Sequence, residues 1–593
     1  VLLIQYFEVI FLFKRILIII IVCIVGYYVV SSVIINRAYA NYVTSAGTAP
    51  TMAMPLSVFY DHYGLTAFSM YKWYAPLYYI SAVTAIKIVG KNWAGMIVLN
   101  NGFYLLLLLL FSYMLGKTIK DGFAGIIVVL LVLLYPLTYL GFITVCVDFG
   151  LMAFIVAAVY FLVKSAYFKS TKYSIALGAA CAMGMLVKNT YAAFIVGPLL
   201  VGLIRAVGDL QNKDFKRLGN LLVCAAVGAA IIAPCYGHSY ILNNFYEILV
   251  SEPTGLKWYS FEKIRPFIIG LSELQLTPAF CIVLVLGGYY FIKEAGGMFA
   301  ATILSWIIIP NIIMIFMPHW VTSRYFLPLQ PAYALISMYF VRRMVMTKHG
   351  KVIMVVLCGL GIFQYYEFVY KKVGIESAHI GATRYFCNYS DLNSSNAVRS
   401  KNSAMLEGIR QGVLKKMVKN DGKVLLQRHY MIGTILQEGD YKWIDSVLGG
   451  YFWFNNINVS IEFSNVIFDT FLPGGQRMPI DYFMYFCATP GAGVRQLFKD
   501  NIRIQEAYIG DRGTNVPYSI PFEVIKNNWV SQRTGANDPA VYRRYDWTAI
   551  KTAWEQDMSH YKNTGAAIYR DEHYTVYLFE KCIPDQPRPR RSN

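Results

Sequence analysis

Asp61 stands in the stretch FYDHYGLTAFSMYKWYAPLYY (59–79) as the one acidic residue between Asn36 and Lys120. An ionised carboxylate among Tyr, Trp and Phe side chains can take a proton from a hydroxyl group as that hydroxyl attacks an electrophile. A second acid, Asp148, opens the apolar run TVCVDFGLMAF. Two cations sit at comparable borders, Lys188 in GMLVKNTYAAF and Arg324 in PHWVTSRYFLPLQPAYALI, and Lys72 lies close to Asp61. Cations fixed at a water-poor boundary can neutralise a phosphate leaving group. Each residue also has a plain reading. Asp148 suits the positive end of a helix dipole, Lys188 can end a span by snorkelling, and Arg324 can anchor an interface beside Trp320 and Tyr325. Asp61 fits a turn, and His62 and His319 read as interfacial residues rather than metal ligands. Taken singly, none is specific.

The elements that must position these residues are set by composition. Of 593 residues, 56% are hydrophobic and only 15% are charged, against about a quarter charged in a soluble protein; the mean hydropathy is +0.45. Runs such as RILIIIIVCIVGYYVVSSVII (15–35) and IVLNNGFYLLLLLLFSYML (97–115) have membrane-spanning length. The chain reads as a polytopic α-helical membrane protein. Its net charge of +19 then reports orientation loop by loop. No Lys/Arg block interleaved with aromatics stands apart from the membrane ends, so nucleic acid is not an expected partner. The first span resembles a signal sequence, but its long apolar core and missing small-residue cleavage site make it a retained anchor. Seven of the ten cysteines lie in or beside apolar runs and no CxxC occurs, which argues against zinc and redox motifs. The other three, Cys387, Cys487 and Cys582, allow at most one disulfide among themselves.

The segment APLYYISAVTAIKIVG (75–90) is short and carries Lys87. If it does not cross, eleven spans follow, at 15–35, 94–115, 123–142, 149–163, 174–187, 191–204, 219–237, 279–292, 297–316, 326–341 and 352–370. Inside loops after residue 115 then hold fourteen Lys and Arg, outside loops five. Crossing at 75–90 would invert this and break the positive-inside rule. The N-terminus is therefore expected inside. Asp61, in a first outer loop (36–93), then lies outside with Asp148, Lys188 and Arg324. After Val373 the apolar runs shorten. Residues 371–593 read as a soluble extracytoplasmic domain of α+β type, with strand-like NVSIEFSNVIFDTFL, a hairpin around DEH and a helix over 404–418. Residues 1–370 form the transmembrane domain.

Two carboxylates and two or three cations on one face of apolar helices make a pattern that suits transfer from a lipid-phosphate donor. YDHYGLTAFSMYKWYAPLYYISAVTAIKIVG, DFGLMAFIVAAVYFL and ALGAACAMGMLVKNTYAAFIVGPLL together resemble the GT-C glycosyltransferases, nearest to the bacterial protein mannosyltransferases and the lipid A aminoarabinose transferase. The resemblance covers roughly residues 10–205, and more weakly 320–340 through SRYFLPLQPAYALI. It maps the family's first-loop Asp to Asp61, its Pro-Leu-Tyr-Tyr juxtamembrane helix to Pro76–Tyr79, its second Asp to Asp148, and its Gly-rich span with a terminal Lys to Gly184 through Lys188. The family's Asp-Glu pair is Asp61-His62 here, and its Lys-Pro-Pro or His-Pro-Pro variant is Tyr74-Ala75-Pro76.

The resemblance implies a cell-membrane enzyme that moves a sugar, with inversion, from a polyprenyl-phosphate carrier to a protein or glycolipid acceptor on the extracytoplasmic side. Asp61 and Asp148 are then the catalytic acids. Lys188, Arg324 and Lys72 hold the donor phosphate, and His62, Tyr63, Trp73, Tyr74 and Tyr78 line the substrate site. No metal ligands are assigned, and whether a divalent cation acts as cofactor stays open. The competing readings are a transporter or flippase of lipid-linked sugars and a non-catalytic anchor for the outer domain. A transporter should show broken helices or acids at mid-membrane in matching halves; no such repeat is visible, and eleven spans are excessive for an anchor.

Overall fold

The structure is a computed structural model. It describes residues 2–39, 75–90, 92–210, 213–236, single positions at 264, 267 and 271, then 275–316, 323–347 and 350–370 of the apolar part. Of the remainder it describes 407–413, 430–436, 459–462, 482–488, 546–558, 561–563, 569–570 and 574–581. The chain divides into two compact units, Val1–Val398 and Arg399–Asn593.

In hydrocarbon a backbone must satisfy its own polar groups, so apolar runs fold as helices. The first unit contains α1 (Leu2–Tyr39), α2 (Leu77–Val89), α3 (Trp93–Ile119), α4 (Gly122–Leu134), α5 (Pro136–Ile143), α6 (Val147–Lys164) and α7 (Thr171–Val187). It continues with α8 (Tyr191–Leu210), α9 (Lys216–Tyr236), α10 (Thr277–Glu294), α11 (Gly297–Phe316), a 3₁₀ turn (Ser323–Leu329), α12 (Gln330–Val345) and α13 (Gly350–Tyr370). Among the described residues seven helices are long and apolar enough to cross a membrane, or eight if the bent pair α4–α5 counts as one span. The chain is a multi-pass helical membrane protein. The eleven expected segments also include α7, α12 and α13. α7 has only 17 residues, and α12 carries Arg342 and Arg343 in its last turn.

One expected span is broken. The run 123–142 is two helices bent by 66°. Pro136 cannot donate a backbone hydrogen bond and forces the residue before it out of the α region, and Tyr135 is extended at φ −77°, ψ 125°. Side chains take up carbonyls at the break and at the far end of α5. Tyr28 of α1 donates to the Leu133 carbonyl at 2.6 Å. Asn101 of α3 donates to the carbonyls of Phe142 at 2.7 Å and Thr144 at 2.6 Å.

The same asparagine orients α6. Tyr78 of α2 donates to Asn101 Oδ1 at 3.0 Å and accepts the Cys146 N–H, just ahead of α6, at 3.1 Å. Ser81 donates to Asn100 at 2.7 Å and lies 2.8 Å from the Tyr104 hydroxyl. Thus α2 lies along the first half of α3. Its 13 residues span about 20 Å, less than the ~30 Å hydrocarbon core. It stops at Gly90, where φ is +71°, a conformation that favours glycine. α3 and α6 run in the same direction: Tyr104 packs on Gly150 near the start of α6, and Phe111 packs on Tyr160 and Phe161 near its end. α6 is the central helix, with 78% of its apolar window buried against 11% for α9.

The bundle therefore has two chemically distinct ends. One gathers the start of α6, the α7–α8 break and the 3₁₀ turn. The other gathers the α3–α4 turn and the C-terminal ends of α10 and α12. At that second end Asp121 caps α4, accepting the Ala124 N–H at 2.8 Å and Arg342 Nη2 at 2.7 Å. Partial burial works to raise its carboxyl, but these hydrogen bonds and the guanidinium charge outweigh it and hold Asp121 below the usual carboxylate range.

In the second unit β1 (Tyr430–Leu436) lies parallel to β2 (Val459–Glu462) and to β3 (Tyr482–Ala488). β6 (Tyr574–Lys581) is antiparallel to β3, β4 (Tyr561–Asn563) and β5 (Tyr569–Arg570). The strand order is β2-β1-β3-β6-β4, with β5 also on β6. α14 (Trp547–Met558) precedes β4.

Replacing Asn101 by Leu strips Phe142 and Thr144 of their donor and Tyr78 of its acceptor. A buried polar group left unpaired costs about 1–3 kcal/mol. Thermal unfolding in detergent should show a clearly lowered midpoint for Asn101→Leu and a smaller drop for Tyr78→Phe. Equal midpoints for wild type and Asn101→Leu would show that the network does not hold the end of α5.

Candidate functional site

Asp148 occupies the first turn of α6, where the helix dipole favours a negative charge. It lies inside the protein, its side chain only 3% exposed. A buried carboxylate needs a partner, and Lys188 provides one: its Nζ donates to Asp148 Oδ1 at 2.7 Å. The Lys188 side chain is itself 12% exposed. These two residues, forty positions apart, are the pair that the structure brings together.

Lys188 is held by a break between helices. It is the C-terminal cap of α7, its N–H bonded to the Gly184 carbonyl at 3.1 Å, and its own carbonyl accepts the Tyr191 N–H at 3.0 Å as α8 begins. Tyr191 folds back over Gly184 so closely that a Cβ there would sit 2.1 Å from its ring. Only glycine admits that approach. Tyr236, at the end of α9, fastens the same segment, its hydroxyl 2.7 Å from the Met185 carbonyl and 2.5 Å from Asn189 Oδ1.

A third element closes over the lysine. Lys188 Nζ stands 4.7 Å from the centroid of the Tyr325 ring, within cation–π range. Tyr325 belongs to the 3₁₀ turn Ser323–Leu329, which is anchored by buried Phe326, Leu327 and Leu329. Arg324 precedes Tyr325 in the same turn, so its backbone borders the pair. A lysine ammonium has three donors and a guanidinium five. This corner thus offers an oriented ammonium and an aromatic face, an arrangement suited to an anionic oxygen group.

The remaining expected residues divide in two. Asp61, His62, Tyr63, Lys72, Trp73 and Tyr74 lie outside the described residues. Tyr78, expected to line the substrate site, is instead wholly buried, and its hydroxyl is engaged with Asn101 and Cys146. It acts on the site through the helix it holds, not through a surface of its own. Lys188, expected as an isolated cation, is an ion-pair partner. The roles of Asn101, Tyr236 and Tyr325 were not read from the sequence. Tyr325 was visible there only as an interfacial aromatic, and the other two contacts depend on which helices are neighbours. Among the described residues no group of three or more His, Cys, Asp or Glu is arranged to hold a metal ion.

No family model matches the sequence, and no curated protein matches it. Solved structures do. The crystal structure of ArnT from Cupriavidus metallidurans bound to undecaprenyl phosphate aligns with a TM-score of 0.52 over 95% of this chain and 97% of that one, at 12% identity. The apo form of the same protein aligns with a TM-score of 0.51 over 90% and 93%, also at 12% identity. The chain has a GT-C fold. An oligosaccharyltransferase from Archaeoglobus fulgidus aligns less closely, with a TM-score of 0.43 over 78% of this chain and 69% of that one, at 11% identity. The GT-C resemblance drawn from Pro76–Tyr79, Asp148 and Gly184–Lys188 thus agrees with the likeness of the whole fold.

Removing one member of a buried pair strands the other charge, at a cost of about 3–5 kcal/mol. Donor-free Lys188→Met should therefore unfold at a much lower denaturant concentration in detergent than wild type. Lys188→Met combined with Asp148→Asn should recover most of that loss. A double variant no more stable than the single one would show that Asp148 does not depend on Lys188.

Proposed function

We propose that this chain is a membrane glycosyltransferase. It moves a sugar, with inversion, from a polyprenyl-phosphate carrier to a protein or glycolipid acceptor on the extracytoplasmic side of the cell membrane. The observation that carries the reading is the buried Lys188–Asp148 pair, covered by Tyr325 at one end of a GT-C bundle. A lipid-linked donor is further supported by the similar ArnT structure, which binds undecaprenyl phosphate.

In this mechanism the acceptor hydroxyl attacks the anomeric carbon while Asp61 takes its proton. The bond from that carbon to the phosphate oxygen breaks, and the electron pair leaves with the polyprenyl phosphate. Lys188 meets the charge that develops there, with Arg324 beside it and Lys72 as a third contact. Asp148 orients Lys188, since a lysine already fixed by one hydrogen bond need not reorganise as charge develops. His62, Tyr63, Trp73 and Tyr74 stack on the sugar and keep water from the donor. Loop charge supports the orientation, with fourteen cations on one side against five in the loops after residue 115. Residues 1–370 then carry catalysis, and residues 371–593 orient the acceptor outside.

Asp61→Asn preserves shape and removes basicity. With purified polyprenyl-phosphate-linked sugar, turnover should fall by ~10²-fold or more while donor binding stays nearly unchanged. Near wild-type transfer by this variant would make Asp61 a turn residue and remove it from the mechanism. Arg324→Ala should weaken donor binding with little change in the unfolding midpoint of donor-free protein.

Deleting residues 375–593 should lower transfer to the native acceptor while the lipid-linked sugar still binds. Loss of donor binding in the shortened chain would refute this division of labour.

A further inference from the structure

At the end of the bundle opposite Asp148, about 27 Å away along the 18 residues of α6, three helix ends surround a cavity of about 230 Å³. Its walls are Lys120 from the α3–α4 turn, Glu294 from α10, and Met338, Tyr339, Arg342, Arg343 and Met346 from the end of α12. Three cations thus face one carboxylate. We propose that this cavity binds the phosphate of an anionic lipid headgroup in the leaflet on that side of the membrane.

Cations at this end of the helices follow from the positive-inside tendency alone, so the proposal rests on how they are arranged. Lys120 and Arg342 turn inward, their side chains 25% and 33% exposed, and Arg343, 65% exposed, reaches in from the rim. Lys120 Nζ stands 5.1 Å above the Tyr339 ring and 3.3 Å from Glu294, and Arg343 reaches the same carboxylate at 3.4 Å. Both distances exceed the roughly 2.7–2.9 Å of a tight charge-assisted bond. One glutamate is shared loosely between two cations that have donors to spare. Arg342 is fixed through Nη2 on Asp121 at 2.7 Å, while its buried Nε has no hydrogen-bond partner among the described residues. A phosphate brings several acceptor oxygens and more charge than the glutamate.

Size and surroundings select the kind of ligand. The cavity is smaller than the ~300–1,000 Å³ pockets that enclose a whole small molecule, so it holds a headgroup and leaves the remainder outside. On α10, ahead of Glu294, Tyr289 and Ile292 are exposed at 54% and 72%, and Met346 in the cavity wall at 41%. These side chains offer an apolar flank for acyl chains. Basic pockets between helices at a membrane boundary suit anionic lipid headgroups. The site is separate from the proposed donor site and does not depend on it.

The test uses the full chain, delipidated and titrated with phosphatidylcholine micelles with or without phosphatidylglycerol, with bound lipid counted by native mass spectrometry. Wild type should retain phosphatidylglycerol in preference to phosphatidylcholine. Lys120→Gln with Arg343→Gln should weaken that preference by roughly 30-fold, the effect of two cations near an anionic headgroup. Lys169→Gln with Lys172→Gln removes the same charge from exposed positions at the same end and should leave the preference intact. Lys120→Arg with Arg343→Lys keeps the charge and should retain lipid, which separates loss of the site from loss of fold. Equal loss in both glutamine variants, or no preference in wild type, would overturn the proposal. So would millimolar inorganic phosphate displacing phosphatidylglycerol completely, since the ligand would then be free phosphate.

Discussion

A helix interrupted inside hydrocarbon releases backbone groups that no water can reach, and this protein interrupts one at Pro136 in the middle of its core. At the break between α4 and α5 Tyr28 donates to the Leu133 carbonyl, and at the far end of α5 Asn101 donates to the Phe142 and Thr144 carbonyls. Asn101 uses its whole capacity: it gives both amide hydrogens to carbonyls and accepts from Tyr78 and Asn100 through Oδ1. Because Tyr78 also receives the Cys146 N–H, the capping of α5 and the placement of α6 are one network. The depth and direction of Asp148 follow from it.

That network explains how an ion pair can be kept inside a membrane protein. Burying two charges costs more than their attraction returns unless the geometry is held by its surroundings. Here Asp148 is held by the start of α6, and Lys188 by a break that requires Gly184 beneath Tyr191 and Tyr236 beside Asn189. Four helices and a 3₁₀ turn converge to hold one ammonium and one carboxylate at 2.7 Å. Such rigidity is expected where a group must meet developing charge without reorganising.

The two ends of the bundle treat charge differently. At the Asp148 end a tightly closed pair lies under an aromatic ring. At the Asp121 end cations outnumber carboxylates around an open cavity, and Glu294 is divided between Lys120 and Arg343. The first arrangement orients a donor group, whereas the second leaves donor capacity unused.

Much of this was legible in the sequence, because hydropathy and loop charge are properties of composition along the chain. The polytopic class and the short helix at 75–90 followed from these properties. The placing of Asp148 and Lys188 at ends of apolar runs, and the GT-C likeness carried by Pro76–Tyr79, Asp148 and Gly184–Lys188, were equally visible. Pro136 was also visible, but a proline in an apolar run can kink a helix or end it, and side chains from α1 and α3 decide which. The same holds for Tyr78, expected to line the substrate site and in fact a buried link between α2, α3 and α6. Which cation meets Asp148 was decided only by the tertiary structure. Lys188 and Arg324 are alike by sequence, each a cation bordering apolar residues. Periodicity gives the face and depth of a residue on its own helix, whereas the 2.7 Å contact depends on how α6, α7 and the Tyr325 turn pack together.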